Sequence, residues 1–163
     1  MNVSKAVINH SAALIQGLND LLSRNRDAQK GYVEASNHIN LNELSKWMLD
    51  YSVQRQMFSN QLDMEIRRLG GTPEDGTTAL GELHRVWIDL RGEITNNDPL
   101  AMLEECLRGE EQAVEDYDAV LRQHRDMPQQ TIDLLNRHKS KIILAISQIK
   151  AMLKSYVPVE QES

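Results

Sequence analysis

With Cys106 as its only cysteine, the chain can form no internal disulfide, and it carries no Cys-x-x-Cys pair. Proline is rare and glycine sparse, at four and eight residues, and the longest cluster of the two is Gly70-Gly71-Thr72-Pro73. Long segments are therefore free of helix breakers. There is no glycine-rich phosphate loop and no nucleophile elbow, which removes two common enzymatic readings. Aromatic side chains make up 4% of the chain, so aliphatic residues must supply most of the core. No apolar run approaches the roughly 18 residues that would mark a membrane span. Met1 to Lys5 lack the apolar core of a signal peptide, and Ala12 to Leu18 is too short to be one. A net charge of −6 disfavours nucleic acid as a partner, because binding to phosphates needs clustered cations. The basic residues at Arg67-Arg68 and from Arg137 to Lys141 lie among acids and read as solvated faces. The expectation is a cytoplasmic protein with no nucleic-acid or membrane partner.

What the chain does have is helix-forming composition and heptad-like spacing. The first helix is expected over 4–39, with Leu14, Leu18, Leu21, Asn25, Ala28, Tyr32, Ala35 and Ile39 on one stripe. Asn40 or Asn42 is the expected cap of a second helix over 41–69, whose stripe is Leu44, Met48, Tyr51, Arg55, Phe58, Leu62, Glu65 or Ile66, and Leu69. Gly70 and Pro73 end it. A helical crossover is expected over 77–95, reaching roughly 28 Å at 1.5 Å per residue, far enough to start the next helix at the opposite end of a bundle. Asp98 and Pro99 open a third helix running to about Arg125, with Leu103, Cys106 or Leu107, Glu110, Val114, Tyr117, Leu121 and His124 on its stripe. Met127-Pro128 precedes a fourth over 129–156, striped by Ile132, Leu135, His138 or Lys139, Ile142, Ile146, Ile149, Leu153 and Tyr156. One domain over 1–157 is expected, with a disordered polar tail over 158–163.

The polar exceptions on these stripes coincide. Asn25, Arg55 and Glu110 each fall near the midpoint of a helix, so a bundle brings them into one layer, with Ile142 and Ile143 facing them. Buried charge is costly unless paired. Arg55 and Glu110 are therefore expected to pair across the core, with Asn25, Tyr32 and Tyr117 hydrogen-bonding the remaining atoms. Asn25, Ala28, Tyr32 and Ala35 share the spacing of Glu110, Ala113, Tyr117 and Val120, a trace of an internal repeat.

Several segments together resemble a bacterial family of uncharacterised ferritin-like four-helix-bundle proteins, a domain-of-unknown-function group. They are Asn25 to Tyr32, Arg55-Gln56-Met57-Phe58, Leu69 to Pro73, Leu83-His84-Arg85 through Trp87 to Leu90, and Gly109-Glu110-Glu111. The resemblance implies an all-α, ferritin-like four-helix bundle with a long helical crossover between helices two and three. Catalytic ferritin-like proteins hold two irons on a Glu from each of two helices and a Glu-x-x-His from each of the others. Counting back from Pro73 by the spacing of such proteins places Arg55 and Phe58 at one such pair, and Ile143 and Ile146 stand at the other. Asn25 replaces the first-helix Glu, and Glu110 alone matches. An arginine is always protonated and repels a metal, so the site reads as degenerate, with no cofactor and no metal expected.

Weaker metal candidates are Glu110, Glu111, Asp27 and His84. Each has a plainer reading: Asp27 as an exposed acid beside Arg24 and Arg26, Glu111 as part of a solvated acidic face, His84 as a boundary histidine. Val33, Trp47 and Val53 hint at a self-association surface. The resulting expectation is a non-enzymatic structural or interaction protein, linked by the resemblance to stress responses, that associates with itself or a protein partner. The alternative is a metal-binding relative with a displaced carboxylate/His site.

Overall fold

A computed structural model of the chain describes residues 2–75 and 98–156. Among them are four helices: α1 (Asn2–His38), α2 (Asn42–Arg68), α3 (Pro99–Gln123) and α4 (Gln129–Tyr156). The expected crossover over 77–95, with His84 and Trp87, and the tail over 158–163 lie outside the described residues.

The helix ends follow local chemistry. The Asp98 side chain accepts from the backbone N–H groups of Leu100 and Ala101, at 3.0 and 3.3 Å, and Pro99 takes the first turn, where a missing N–H costs nothing. At the end of α2, Gly71 N–H reaches the Ile66 carbonyl and Gly70 N–H the Arg67 carbonyl, both near 3 Å. Gly70 has φ +85°, the left-handed turn that glycine adopts without a Cβ clash. Gly71 then lies so close to α1 that a Cβ there would meet the Ile15 side chain at 2.7 Å.

The start of α2 departs from expectation: its cap is Leu41, with no side-chain hydrogen bond, rather than Asn40 or Asn42. The turn is secured instead by the Ser45 hydroxyl, which donates to the Ser36 carbonyl at 2.9 Å.

Helix α1 packs on α2, α3 on α4, and α1 meets α3. The α2–α4 pairing is antiparallel. Trp47 and Tyr51 both donate to Gln148, Gln61 meets His138 in mid-helix, and Thr131, at the start of α4, donates to Glu65 near the end of α2 at 2.5 Å. The apolar core falls into two clusters. One gathers Tyr32, Ala35, Met48, Tyr51, Leu103, Cys106 and Ile149; the other gathers Leu18, Leu21, Phe58, Leu62, Tyr117, Leu135 and Ile142. Asn25, Arg55 and Glu110 belong to neither. By chain position they lie between the two clusters, where the core changes from one to the other.

Two expectations are corrected by burial. Ile143 does not face this layer: it is 48% exposed, while Ile142 and Ala145 are fully buried. The helix turns about 100° per residue, so one step of register moves a side chain from core to solvent. Asp27 is buried rather than exposed, because burial on α1 extends round to Asn19, Asp27 and Gly31, beyond the single stripe.

Candidate functional site: a buried polar layer

Arg55 is 3% exposed and Glu110 is 2% exposed. The two form an ion pair through Nη2 and Oε2. A guanidinium can only donate, and that fact fixes the sense of the bonds that it makes. Arg55 Nη1 donates to Asn25 Oδ1 at 2.9 Å, so the Asn25 amide nitrogen points away. It donates in turn to the Leu21 carbonyl at 2.8 Å and to the Tyr117 hydroxyl at 2.9 Å. The Tyr117 hydroxyl lies 2.9 Å from His138 Nδ1 and His138 Nε2 lies 2.7 Å from Gln61 Oε1; with the ring proton on Nε2, Tyr117 donates to His138 and His138 to Gln61. On the other side, the Tyr32 hydroxyl donates to Glu110 Oε1 at 2.5 Å. Residues from all four helices thus join one connected network, in which donation runs outward from Arg55 to the exposed Gln61 while Arg55 and Tyr32 both donate to Glu110.

The five residues expected in this layer, Asn25, Tyr32, Arg55, Glu110 and Tyr117, are brought together. Their tyrosines cross over: Tyr32 of α1 serves the acid of α3, while Tyr117 of α3 serves the amide of α1. His138 and Gln61 were not expected. The α4 pattern admits His138 or Lys139 on its stripe, and the choice needed the fold: Lys139 turns outward to Asp118 at 2.6 Å.

The electrostatics follow from burial. Taking the Arg55 guanidinium out of water lowers its pKa, but Glu110, with Tyr32 and Tyr117, more than offsets this and the net shift is upward. Arg55 is permanently cationic here. Burial, with Glu110 beside it, drives the Tyr32 phenol well above its ordinary value. Tyr117 moves in the same direction, again chiefly through burial. His138 goes the other way, down to about 3, because burial and then the Arg55 charge disfavour its protonated form. In its neutral form the ring can accept from Tyr117 at Nδ1 and donate to Gln61 from Nε2. Its ring stacks on Phe58 with centroids 4.0 Å apart, and the Arg55 guanidinium lies 5.6 Å from the same Phe58 ring.

These shifts carry Tyr32, Tyr117 and His138 away from titration near neutral pH. The Cys106 thiol is also pushed up by burial, away from the thiolate that reacts.

A sequence profile for a domain of unknown function, DUF2383, matches residues 13–123, more than half of the chain. The chain belongs to that family. No curated protein matches this DUF2383 chain. Among solved structures it is similar to one described as ferritin-like, diiron-carboxylate proteins from Bacillus anthracis str. Ames, with a TM-score of 0.69, 18% identity, and coverage of 88% of this chain and 97% of the other. At that identity the likeness establishes the fold: a ferritin-like four-helix bundle.

The residues of the layer do not fit two irons. Glu110 already neutralises Arg55, a fixed cation that would oppose a second one. Phe58, whose ring lies against Arg55, has no donor atom for a metal. Of the α4 pair Ile143 and Ile146, Ile143 is exposed and Ile146 half-buried, so Ile143 does not stand on the core face. Among the described residues, no three His, Cys, Asp or Glu side chains converge on a point that could hold a metal. Glu111 is exposed and lies 4.0 Å from Lys150.

Proposed function

We propose that this DUF2383 chain is a non-enzymatic structural or interaction protein in which a buried polar layer has replaced a di-iron centre. The observation that carries this reading is the buried Arg55–Glu110 pair. By the register that the resemblance implies, it sets a permanent positive charge at a ligand position and occupies the one acid that matches another. The exposed face of α2 supports an interaction role. Leu49, Val53, Met57 and Met64 recur along it at helical spacing, with Val53 62% and Met64 70% exposed. Apolar side chains aligned in this way favour self-association or a protein partner.

Elemental analysis of protein purified with added Fe(II), Mn(II) or Zn(II) tests the central claim. The expected result is no stoichiometric metal. Stoichiometric metal that disappears in Glu110→Ala would replace this reading with a metal-handling one. Light scattering across a concentration series tests association; a strict monomer at high concentration, together with failure of Val53→Asp and Met57→Asp to change anything, counts against the α2 face.

A further inference from the structure

Beside the polar layer, between α1 and α3, lies a hollow lined by Leu21, Arg24, Arg55, Ala113, Asp116 and Tyr117, among others. Its free volume is about 10 Å³, the room of a single water-sized molecule. Most of the lining is apolar, yet two of its residues carry buried polar atoms with no hydrogen-bond partner, Arg55 Nε and Asp116 Oδ2. They are chemically opposite. Arg55 Nε–H is a charged donor on a side chain only 3% exposed, and Asp116 Oδ2 is a carboxylate acceptor. The other Asp116 oxygen is held by Arg24, whose partly exposed side chain stands on the solvent side of the pair.

A buried donor or acceptor left unmade is costly, more so when it is charged. A species that accepts from Arg55 and donates to Asp116 would satisfy both at once, and few groups small enough can do both. A cation is opposed by Arg55, an anion by Asp116, and an apolar molecule answers neither atom. We infer that this hollow is a binding site for one water-sized hydroxylic molecule, accepting from Arg55 Nε–H and donating to Asp116 Oδ2. It completes a ladder of alternating charge from the surface to the core: Arg24, Asp116, the bound hydroxyl, Arg55 and Glu110. The Arg24–Asp116 pair then controls exchange of the bound molecule with solvent.

High-resolution diffraction from the intact chain tests this directly. The expected result is one isolated density peak about 2.7–3.2 Å from both atoms, the range of ordinary hydrogen bonds. In solution, the Arg55 Nε–H resonance should be slow to exchange and should show a rotating-frame Overhauser contact with water. Asp116→Leu, which removes the acceptor and fills the space, should abolish the peak and the contact; Asp116→Asn, which keeps an acceptor, should retain both. Arg24→Ala should speed exchange without removing the peak. A direct Arg55–Asp116 bond with no density between them overturns the inference, as does a hollow with no peak in wild-type crystals. Because the decisive readings come from the wild-type protein, a variant that fails to fold leaves the test intact.

Discussion

The Tyr32 hydroxyl lies 2.5 Å from Glu110 Oε1, while the other oxygen of that carboxylate takes Arg55. One buried acid is therefore held from two helices, by a neutral donor and by a charged one. The two bonds should weigh differently when they are removed.

Removing Arg55 strands Glu110 in the core. Arg55→Ala should destabilise the fold by about 3–5 kcal/mol, the usual cost of breaking a buried pair from one side. Arg55→Met combined with Glu110→Leu should recover much of that loss, since both charges leave together. Urea denaturation of the two single variants and the double variant measures the coupling. Strict additivity of the three values would show that the residues act independently.

Tyr32→Phe removes one hydrogen bond to a charged acceptor and leaves Glu110 its arginine. The expected loss is about 1.5–3 kcal/mol. Tyr117→Phe breaks a neutral link but leaves both Asn25 Nδ2 and His138 Nδ1 short of a partner, at a cost of about 1–3 kcal/mol. Because Tyr117→Phe touches neither bond to Glu110, adding it to Tyr32→Phe should be close to additive. Chemical denaturation of both singles and the double decides it; strong coupling would mean that the two halves of the layer respond as one.

His138 sets a pH dependence whose sign can be worked out. Its pKa is about 3 in the fold, against about 6.5 for an ordinary histidine. Between those values the unfolded chain holds a proton that the folded chain does not, so stability rises with pH. The His138 contribution is complete above about pH 6.5 and is lost as pH falls toward 3, at up to roughly 1.4 kcal/mol per unit. His138→Gln should flatten the stability profile between about pH 4 and 6.5. An unchanged slope in that variant would assign the acid sensitivity to other groups.

At the entrance to α3, Asp98→Ala should cost about 1 kcal/mol by releasing two backbone donors. Asp98→Ser should restore most of it. Thermal melts of the three proteins make the comparison, and equal midpoints would show that Pro99 alone starts the helix.

How much of this was legible beforehand depended on contrast. Arg55 and Glu110 stood out because a charge on an apolar stripe has few cheap explanations. Phe58 followed from its distance to Pro73 once the helix end was recognised. His138 gave no such signal: it is amphipathic, Lys139 competes for the same stripe, and an alkyl-ammonium side chain can lie along apolar surface as well. Ile143 misled for the opposite reason, since periodicity treats every isoleucine as core although burial is decided by roughly 100° of rotation. Asp27 was missed because a single stripe under-describes a helix buried over a wider arc.

The network around Arg55 has its sense fixed at the centre, where a guanidinium that can only donate faces a carboxylate that can only accept. A residue with donor and acceptor reversed cannot enter there without setting two like groups against each other. Such a layer must be inherited as a block. Any lineage passing between a carboxylate-rich bundle and this one has to cross a stage in which a buried charge stands alone, unless several positions change together. Variation in this part of the molecule should come in sets.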